Sequence, residues 1–221
     1  MGKWQSILGA VPEMKRTSES AQVSRYNFRM TLDEARALMN EWVSSEALRI
    51  HMESVAVCVG AYADRLDPGD AERWRVAALL HDFDYERFPT LGDHPFVGVK
   101  ELQRLGVDED IRTAILGHAD FSGVPRQTPM AKALYACDEL AGFIVACCKV
   151  RPNGIADLEP KSVRKKLKDK AFAAAVNRQD ITRGIEELGP ICGEPDPAAF
   201  GPQHIQTCID AMRSERGRLG I

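Results

Sequence analysis

The stretch AALLHDFDYERF, residues 77–88, places His81 and Asp82 side by side at the end of an apolar run. Imidazole and carboxylate groups both bind divalent metal ions, so the pair is either an accident of a helix end or part of a metal site. One such neighbouring pair arises easily by chance in a chain with five histidines, and the dipeptide alone is therefore a weak motif. The rest of the chain has to decide between the two interpretations.

The composition is that of a globular protein with an ordinary core. Of its 221 residues, 44% are hydrophobic and 28% are charged, and the formal net charge is -3. This balance gives no general attraction to nucleic acid or to an anionic membrane. No apolar run approaches the roughly 20 residues that cross a bilayer, and MGKWQSILGAVPEMKRTSES at the N-terminus lacks a cleavage-site pattern. We therefore expect a cytoplasmic protein.

The six cysteines show no C-x-x-C pairing. Four of them, Cys58, Cys137, Cys147 and Cys148, lie inside apolar helical patterns, where a free thiol behaves as a small hydrophobic group. We favour reduced thiols over a disulfide framework or a zinc cage.

Apolar residues recur at helical spacing along most of the chain, which predicts an all-α, single-domain fold. Thr31 and Glu34 have the spacing of a capping box and open the first helix. The fourth predicted helix begins with a proline and ends before a glycine, as helices often do. The predicted helices are 31–43, 46–66, 70–82, 94–106, 108–119, 129–150, two shorter ones within 160–189, and 202–217.

Further metal-binding side chains lie at the ends or on the apolar faces of these helices, namely His51, His94, His118 and Asp138. Asp138 is the most informative, because a carboxylate inside the apolar helix MAKALYACDELAGFIVACC needs a partner. Taken singly, each residue has a structural explanation: a histidine in the core or at a cap, or an ion pair of Asp138 with Lys132 or Arg151. Taken together, they lie on consecutive helices that can converge on one interior site.

The order His, His-Asp, His, His, Asp resembles the HD-domain superfamily of metal-dependent phosphohydrolases. HPFVGVKELQRLG and AILGH resemble two further segments of that family, and the likeness covers roughly residues 45–145. ADLEPKSVRKKLKDKAFAAAVNR also resembles a bacterial branch of predicted HD hydrolases. We therefore divide the chain into an N-terminal arm (1–30), an HD-domain helical bundle (31–190) and a C-terminal helical extension (191–221).

The resemblance implies that one metal ion is held by His51, His81, Asp82 and Asp138. Its dinuclear members add the positions of His94 and His118, and two ions would then share Asp82. Imidazole and carboxylate ligands favour divalent iron, manganese, cobalt, zinc or nickel, and the resemblance implies a metal-bound hydroxide that attacks a small phosphorylated substrate. The implied ligands are His51, His81, Asp82, His94, His118 and Asp138.

One departure concerns the residues after the pair. Many dinuclear members read His-Asp-Ile-Gly, often followed by lysine, whereas this chain reads His-Asp-Phe-Asp-Tyr-Glu. A role for that lysine cannot be carried over. Asp84 either accepts a hydrogen bond from a ligand histidine, with a catalytic role, or ends the helix, and we prefer the second interpretation.

A candidate phosphate-binding segment is KSVRKKLKDK, residues 161–170. Lys161, Arg164 and Lys165 are the proposed substrate-binding residues, beside a helix N-terminus near Pro160 and Ser162. The alternative is a solvated helix face. The run is short and lacks aromatic residues, so we expect neither nucleic acid nor a membrane as a partner, and the sequence does not predict the oligomeric state.

Two other functions fit the same residues. Some HD-like proteins use four histidines and two aspartates to hold a mixed-valent di-iron centre that cleaves a carbon–carbon or carbon–phosphorus bond with dioxygen. Tyr26 and Asn27 would cap such a site, unless they belong to an exposed tail. A degenerate HD nucleotide sensor is the third reading, which the complete ligand set disfavours.

Overall fold

The computed structural model describes residues 29–221, and this part of the chain is built from helices without any strand. The predicted all-α fold is confirmed. The predicted arm falls outside the described residues except for Arg29 and Met30, and Tyr26 and Asn27 lie outside them as well.

Most helix boundaries agree with the sequence pattern to within two or three residues. Two short 3-10 helices, Asp120–Ser122 and Gly189–Cys192, supplement the α-helices. The α-helices are α1 (Leu32–Trp42), α2 (Glu46–Leu66), α3 (Ala71–Leu79), α4 (Phe96–Arg104), α5 (Glu109–His118), α6 (Pro129–Lys149), α7 (Pro160–Leu167), α8 (Arg178–Leu188), α9 (Pro197–Ser214) and α10 (Arg216–Leu219).

Two boundaries differ from the prediction. The helix α3 ends at Leu79, and residues 80–87 form a series of turns, so His81 and Asp82 lie beyond the helix rather than within it. The helix α9 begins at Pro197, because Asp196 caps it through a hydrogen bond from the Ala198 N–H. Pro202 lies inside this helix, although it has no N–H to donate to the preceding turn.

The two longest helices, α2 and α6, form the centre of the fold. They pack against each other, α3 lies along α2, and both α5 and α8 lie along α6. On α6 the side chains of Leu134, Leu140, Phe143 and Ile144 are fully buried. The apolar contacts of these two helices hold the ligand-bearing segments together.

The turns after α3 are attached to the corner between α1 and α2. The Glu86 carboxylate accepts hydrogen bonds from the Ser44 and Ser45 N–H groups at 3.0 and 2.8 Å. Arg87 donates to the Trp42 carbonyl at 3.0 Å and lies over the Trp42 ring. These contacts satisfy backbone groups at both helix ends and fix the path of the chain around His81.

The helix α9 closes the other side of the bundle by packing on α2 and α6. Its buried His204 donates from Nε2 to the Ala136 carbonyl at 2.9 Å and accepts from the Tyr62 hydroxyl at Nδ1 at 2.6 Å. Burial lowers the pKa of His204 to about 4, so the ring is neutral at physiological pH. Because this ring bonds α9 to both central helices, the C-terminal segment is joined to the core.

Across residues 29–221, no helix combines the length and the apolar character that a membrane crossing would need.

Gly184 on α8 allows a close approach to α6, and its replacement is predicted to destabilise the fold. A Cβ atom at this position would lie 2.6 Å from Ala136 Cα, so G184A should lower the free energy of unfolding by about 1–3 kcal/mol. Urea denaturation measures this change. G201A is the control, because its Cβ would lie 3.4 Å from the flexible Ile185 side chain, and its stability should equal or slightly exceed that of the wild type. Equal losses for the two variants would contradict the prediction.

Candidate metal centre

The six predicted ligand side chains meet in one place, although they come from five different segments. His51 comes from α2, His81 and Asp82 from the turns after α3, His94 from the loop before α4, His118 from the last residue of α5, and Asp138 from α6. For Asp138 the sequence also allowed an ion pair with Lys132 or Arg151. The structure places its carboxylate against His51 and His81.

Three of these residues form the first ligand group, which consists of His51, His81 and Asp138. The His51 Nε2 atom lies 3.0 Å from Asp138 Oδ1 and 3.3 Å from His81 Nε2. The His81 Nε2 atom lies 3.3 Å from Asp138 Oδ1. Three donor atoms therefore surround one small volume.

The second ligand group consists of Asp82, His94 and His118. Asp82 Oδ1 lies 3.3 Å from His94 Nε2 and 3.4 Å from His118 Nε2. Asp82 Oδ2 faces the first ligand group, at 3.5 Å from His81 Nε2 and 3.7 Å from His51 Nε2. The two oxygens of one carboxylate thus point toward two different sets of histidines.

The spacing of the donor atoms fits divalent metal ions. Ligand atoms about 2.0–2.2 Å from an ion, at tetrahedral or octahedral angles, lie about 2.8–3.6 Å from one another. The distances within each ligand group, 3.0–3.4 Å, fall inside this interval. These residues therefore have the chemistry and the geometry to hold divalent ions.

Hydrogen bonds on the far side of the rings orient the imidazoles. The Nδ1–H of His81 donates to the Ala78 carbonyl at 2.7 Å, and that of His118 donates to the Ile115 carbonyl at 2.5 Å. A ring that donates from Nδ1 keeps the lone pair of Nε2 free for a metal. In both cases that Nε2 atom faces the ligand groups.

Asp84 orients the third histidine. Its side chain is fully buried, and its Oδ1 accepts a hydrogen bond from His94 Nδ1 at 2.7 Å. Its Oδ2 accepts from the Gly98 N–H at 2.6 Å. The preferred sequence interpretation, a residue that ends the helix, was wrong, because α3 already ends at Leu79. The contacts correspond to the other alternative, an acceptor for a ligand histidine.

The electrostatics of the site favour positive charge. Burial disfavours a charged imidazole, but the carboxylates of Asp82 and Asp138 raise the pKa of His81 to about 10. Burial also opposes ionisation of the two carboxyl groups, and the neighbouring imidazoles nevertheless hold the pKa of both below the usual range. A proton on His81 or a divalent cation supplies the positive charge that this half-buried pair of carboxylates attracts.

The ligand groups form the floor of a cavity of about 690 Å³. Further acidic and aromatic side chains line its walls, and among the described residues that line it there is no lysine or arginine. The acidic wall residues are Asp120, Glu139 and Asp180, and the aromatic ones are Tyr85, Phe121 and Tyr135.

Several wall residues were not predicted from the sequence, among them Tyr135, Glu139 and Asp180. Tyr135 and Glu139 flank Asp138 on α6, and the Tyr135 hydroxyl donates to Asp180 Oδ1 at 2.9 Å. Burial and the nearby Asp138 raise the pKa of Glu139 to about 7. The three-residue spacing from Asp138 was a usable signal for Tyr135, whereas Glu139 is the next residue on α6 and is turned about 100° away from Asp138. No local signal pointed to Asp180, which belongs to α8.

The predicted phosphate-binding residues lie outside the cavity over the ligand groups. Lys161, Arg164 and Lys165 line a shallow depression on the surface of α7, and none of them lines the cavity over the ligand groups. Lys165 is near Cys147, which follows Asp138 by nine residues and so lies about 14 Å along α6. The structure therefore corrects this prediction, since α7 packs beside the far end of α6.

A third group of side chains that could bind a metal lies buried between α6 and α9 and consists of Cys137, His204 and Cys208. Both ring nitrogens of His204 already have partners, Tyr62 and the Ala136 carbonyl. Burial raises the pKa of Cys137 and Cys208, so both are protonated thiols. This group is explained as core packing.

Residues 48–142 match the family model of the HD domain. This segment belongs to the HD-domain superfamily. The segment extends from α2 to α6 and contains all six residues of the two ligand groups, and HD domains are generally metal-dependent hydrolases. Comparisons with curated proteins and with solved structures gave no match.

Metal binding at the first ligand group is predicted to depend on pH. A bound ion needs the neutral imidazole of His81, whereas the adjoining carboxylates raise the pKa of this residue to about 10. Binding should therefore release about one proton, and the affinity should rise about tenfold per pH unit between about pH 7 and pH 8.5. Calorimetry in two buffers with different ionisation enthalpies measures the released proton. An affinity that stays constant over this interval would contradict the prediction.

Proposed function

We propose that this HD domain binds two divalent metal ions and hydrolyses a phosphoric ester of a small molecule. The observation that supports the proposal is the position of Asp82, whose two carboxylate oxygens face two separate ligand groups. A carboxylate in this position is suited to bridge two ions. Ions held there would supply an activated water molecule and would polarise the phosphoryl group.

The protein itself contributes orientation and charge. The backbone carbonyls behind His81 and His118 fix both rings, so the ligand groups are organised before a substrate binds. Asp138 adds a second carboxylate to the first ligand group. The cavity walls then limit which molecules reach this floor.

The wall charges favour a substrate with a single phosphoryl group. Two arginines beside the wall residue Asp120 are engaged in ion pairs, because Arg126 pairs with Glu187 and with Asp120, and Arg183 also pairs with Asp120. The carboxylate of Asp180 remains on the wall, and that of Glu139 adds its charge above about pH 7. A polyanion such as a nucleoside triphosphate would be repelled there, whereas a monophosphate whose remaining part is neutral or cationic would not.

The second candidate function is a mixed-valent di-iron oxygenase that cleaves a carbon–carbon or carbon–phosphorus bond. Four imidazoles and two carboxylates suit iron, and the described cavity walls lack a cationic group for a phosphate. The sensor reading has less support, since both ligand groups are complete.

Metal analysis and parallel assays distinguish these functions. The protein should be purified without chelators, its metals quantified, and its activity compared with and without oxygen. Release of phosphate from small monophosphates with manganese or cobalt, unaffected by oxygen, would support hydrolysis. Substrate-dependent oxygen uptake by an iron-loaded protein would overturn it in favour of the oxygenase.

Replacement of Asp82 is predicted to remove both metal ions and activity. D82A deletes the shared carboxylate, and we expect less than about one-thousandth of the wild-type kcat/KM, in line with the loss of a catalytic metal. The metal content and phosphate release are measured on the same samples. K165A is the control and should retain both, because Lys165 lies outside the cavity. Full metal content in D82A would disprove its role as a ligand.

A further inference from the structure

We propose that Asp84 is a positioning residue that determines whether the second ligand group retains its ion. The inference rests on the proposed dinuclear centre and concerns the number of ions the site holds. It follows from the unequal charge of the two ligand groups and from what lies behind each histidine.

The two ligand groups differ in the negative charge that they offer. The first has the carboxylate of Asp138 to itself and also faces Asp82 Oδ2. The second has only the other oxygen of Asp82 and two imidazoles. With the charge of Asp82 shared, the second group would bind a divalent ion more weakly than the first.

Asp84 compensates for this difference through His94. Its buried carboxylate accepts the Nδ1–H of His94, so a negative charge stands directly behind the ligand ring. A carboxylate in this position fixes the ring and makes its other nitrogen a stronger electron donor. The rings of His81 and His118 have only neutral backbone carbonyls behind them. Of these three histidines, only His94 carries the additional charge.

Gly98 makes room for this carboxylate and holds its second oxygen. The Gly98 N–H donates to Asp84 Oδ2 at 2.6 Å. A Cβ atom at this position would lie 2.8 Å from Asp84 Cγ and 2.7 Å from Phe83 Cε1. Any other residue would therefore displace either the carboxylate or the buried ring. His94 lies two residues before α4 and Gly98 lies in the first turn of that helix, so one short stretch of chain presents both donors to Asp84.

Tyr85 completes the surroundings of His94. Its ring stands edge-on to the imidazole with the centroids 5.1 Å apart. The residues that depart from the more familiar His-Asp-Ile-Gly motif thus contact one metal-ligand residue, His94. Asp84 supplies charge and Tyr85 supplies packing.

The variant D84N tests this role through metal stoichiometry. It keeps the shape of the side chain but replaces one carboxylate oxygen with an NH2 group, which cannot accept a hydrogen bond, and it removes the negative charge behind His94. We expect the wild type to bind two Mn²⁺ per chain, and D84N to bind the second ion about 10- to 100-fold more weakly. The first ion should bind with an affinity within about twofold of the wild type, because the first ligand group is untouched. Calorimetry measures both affinities, and electron paramagnetic resonance distinguishes a coupled manganese pair from a single ion.

Three further variants sharpen the experiment. G98A should reproduce the loss of the second ion, because it displaces the carboxylate of Asp84. D138N should instead weaken the first ion. D93N is the matched control: Asp93 neighbours His94 in the chain, but its carboxylate accepts from the Thr90 hydroxyl, so two ions should bind as in the wild type.

Each outcome decides the inference. Two ions bound equally tightly by the wild type and D84N would overturn the role of Asp84 and leave the dinuclear centre intact. One ion per chain in the wild type would overturn the dinuclear centre and this role together. Loss of both ions in D84N would also overturn it, since retained binding at the first ligand group is the sign that the variant is folded.

Discussion

The arrangement of this protein depends on two neighbouring, half-buried carboxylates, Asp82 and Asp138, that lie among histidines. Placing two negative charges in the interior costs free energy unless positive charge is close by. The imidazoles of the two ligand groups, and the ions that they are suited to hold, provide that compensation. The core of α2 and α6 in turn keeps the donor atoms 3.0–3.4 Å apart within each group. The fold stabilises a site that would not assemble alone.

The turns that follow α3 show how one short segment serves both the fold and the site. Their beginning presents His81 and Asp82 to the ligand groups, and Asp84 reaches behind His94. Their end, through Glu86, binds the N–H groups at the start of α2. A continued helix would have pointed these side chains in directions set by its own periodicity. Leaving the helix lets successive residues bind partners on different sides.

The cavity differs in chemistry between its floor and its walls. Its floor attracts cations, and its walls carry carboxylates and aromatic rings without a lysine or arginine in the part of the chain that the structure describes. In the proposed hydrolase the ions would therefore provide the affinity for an anionic group, and the walls would act on the rest of the molecule. Such a division would favour small substrates of low charge over polyanions.

The sequence by itself determined the helical architecture, because apolar periodicity and the capping box at Thr31 act locally. It also supplied the six side chains of the ligand groups, through their order along the chain and the resemblance to HD domains. Only the tertiary structure decided what lies beside them. Asp84 meets His94 and Gly98, and Asp180 reaches the cavity from α8, whereas Lys165 does not. Such contacts depend on how distant helices pack, and this information is not carried by the spacing of residues in any one segment.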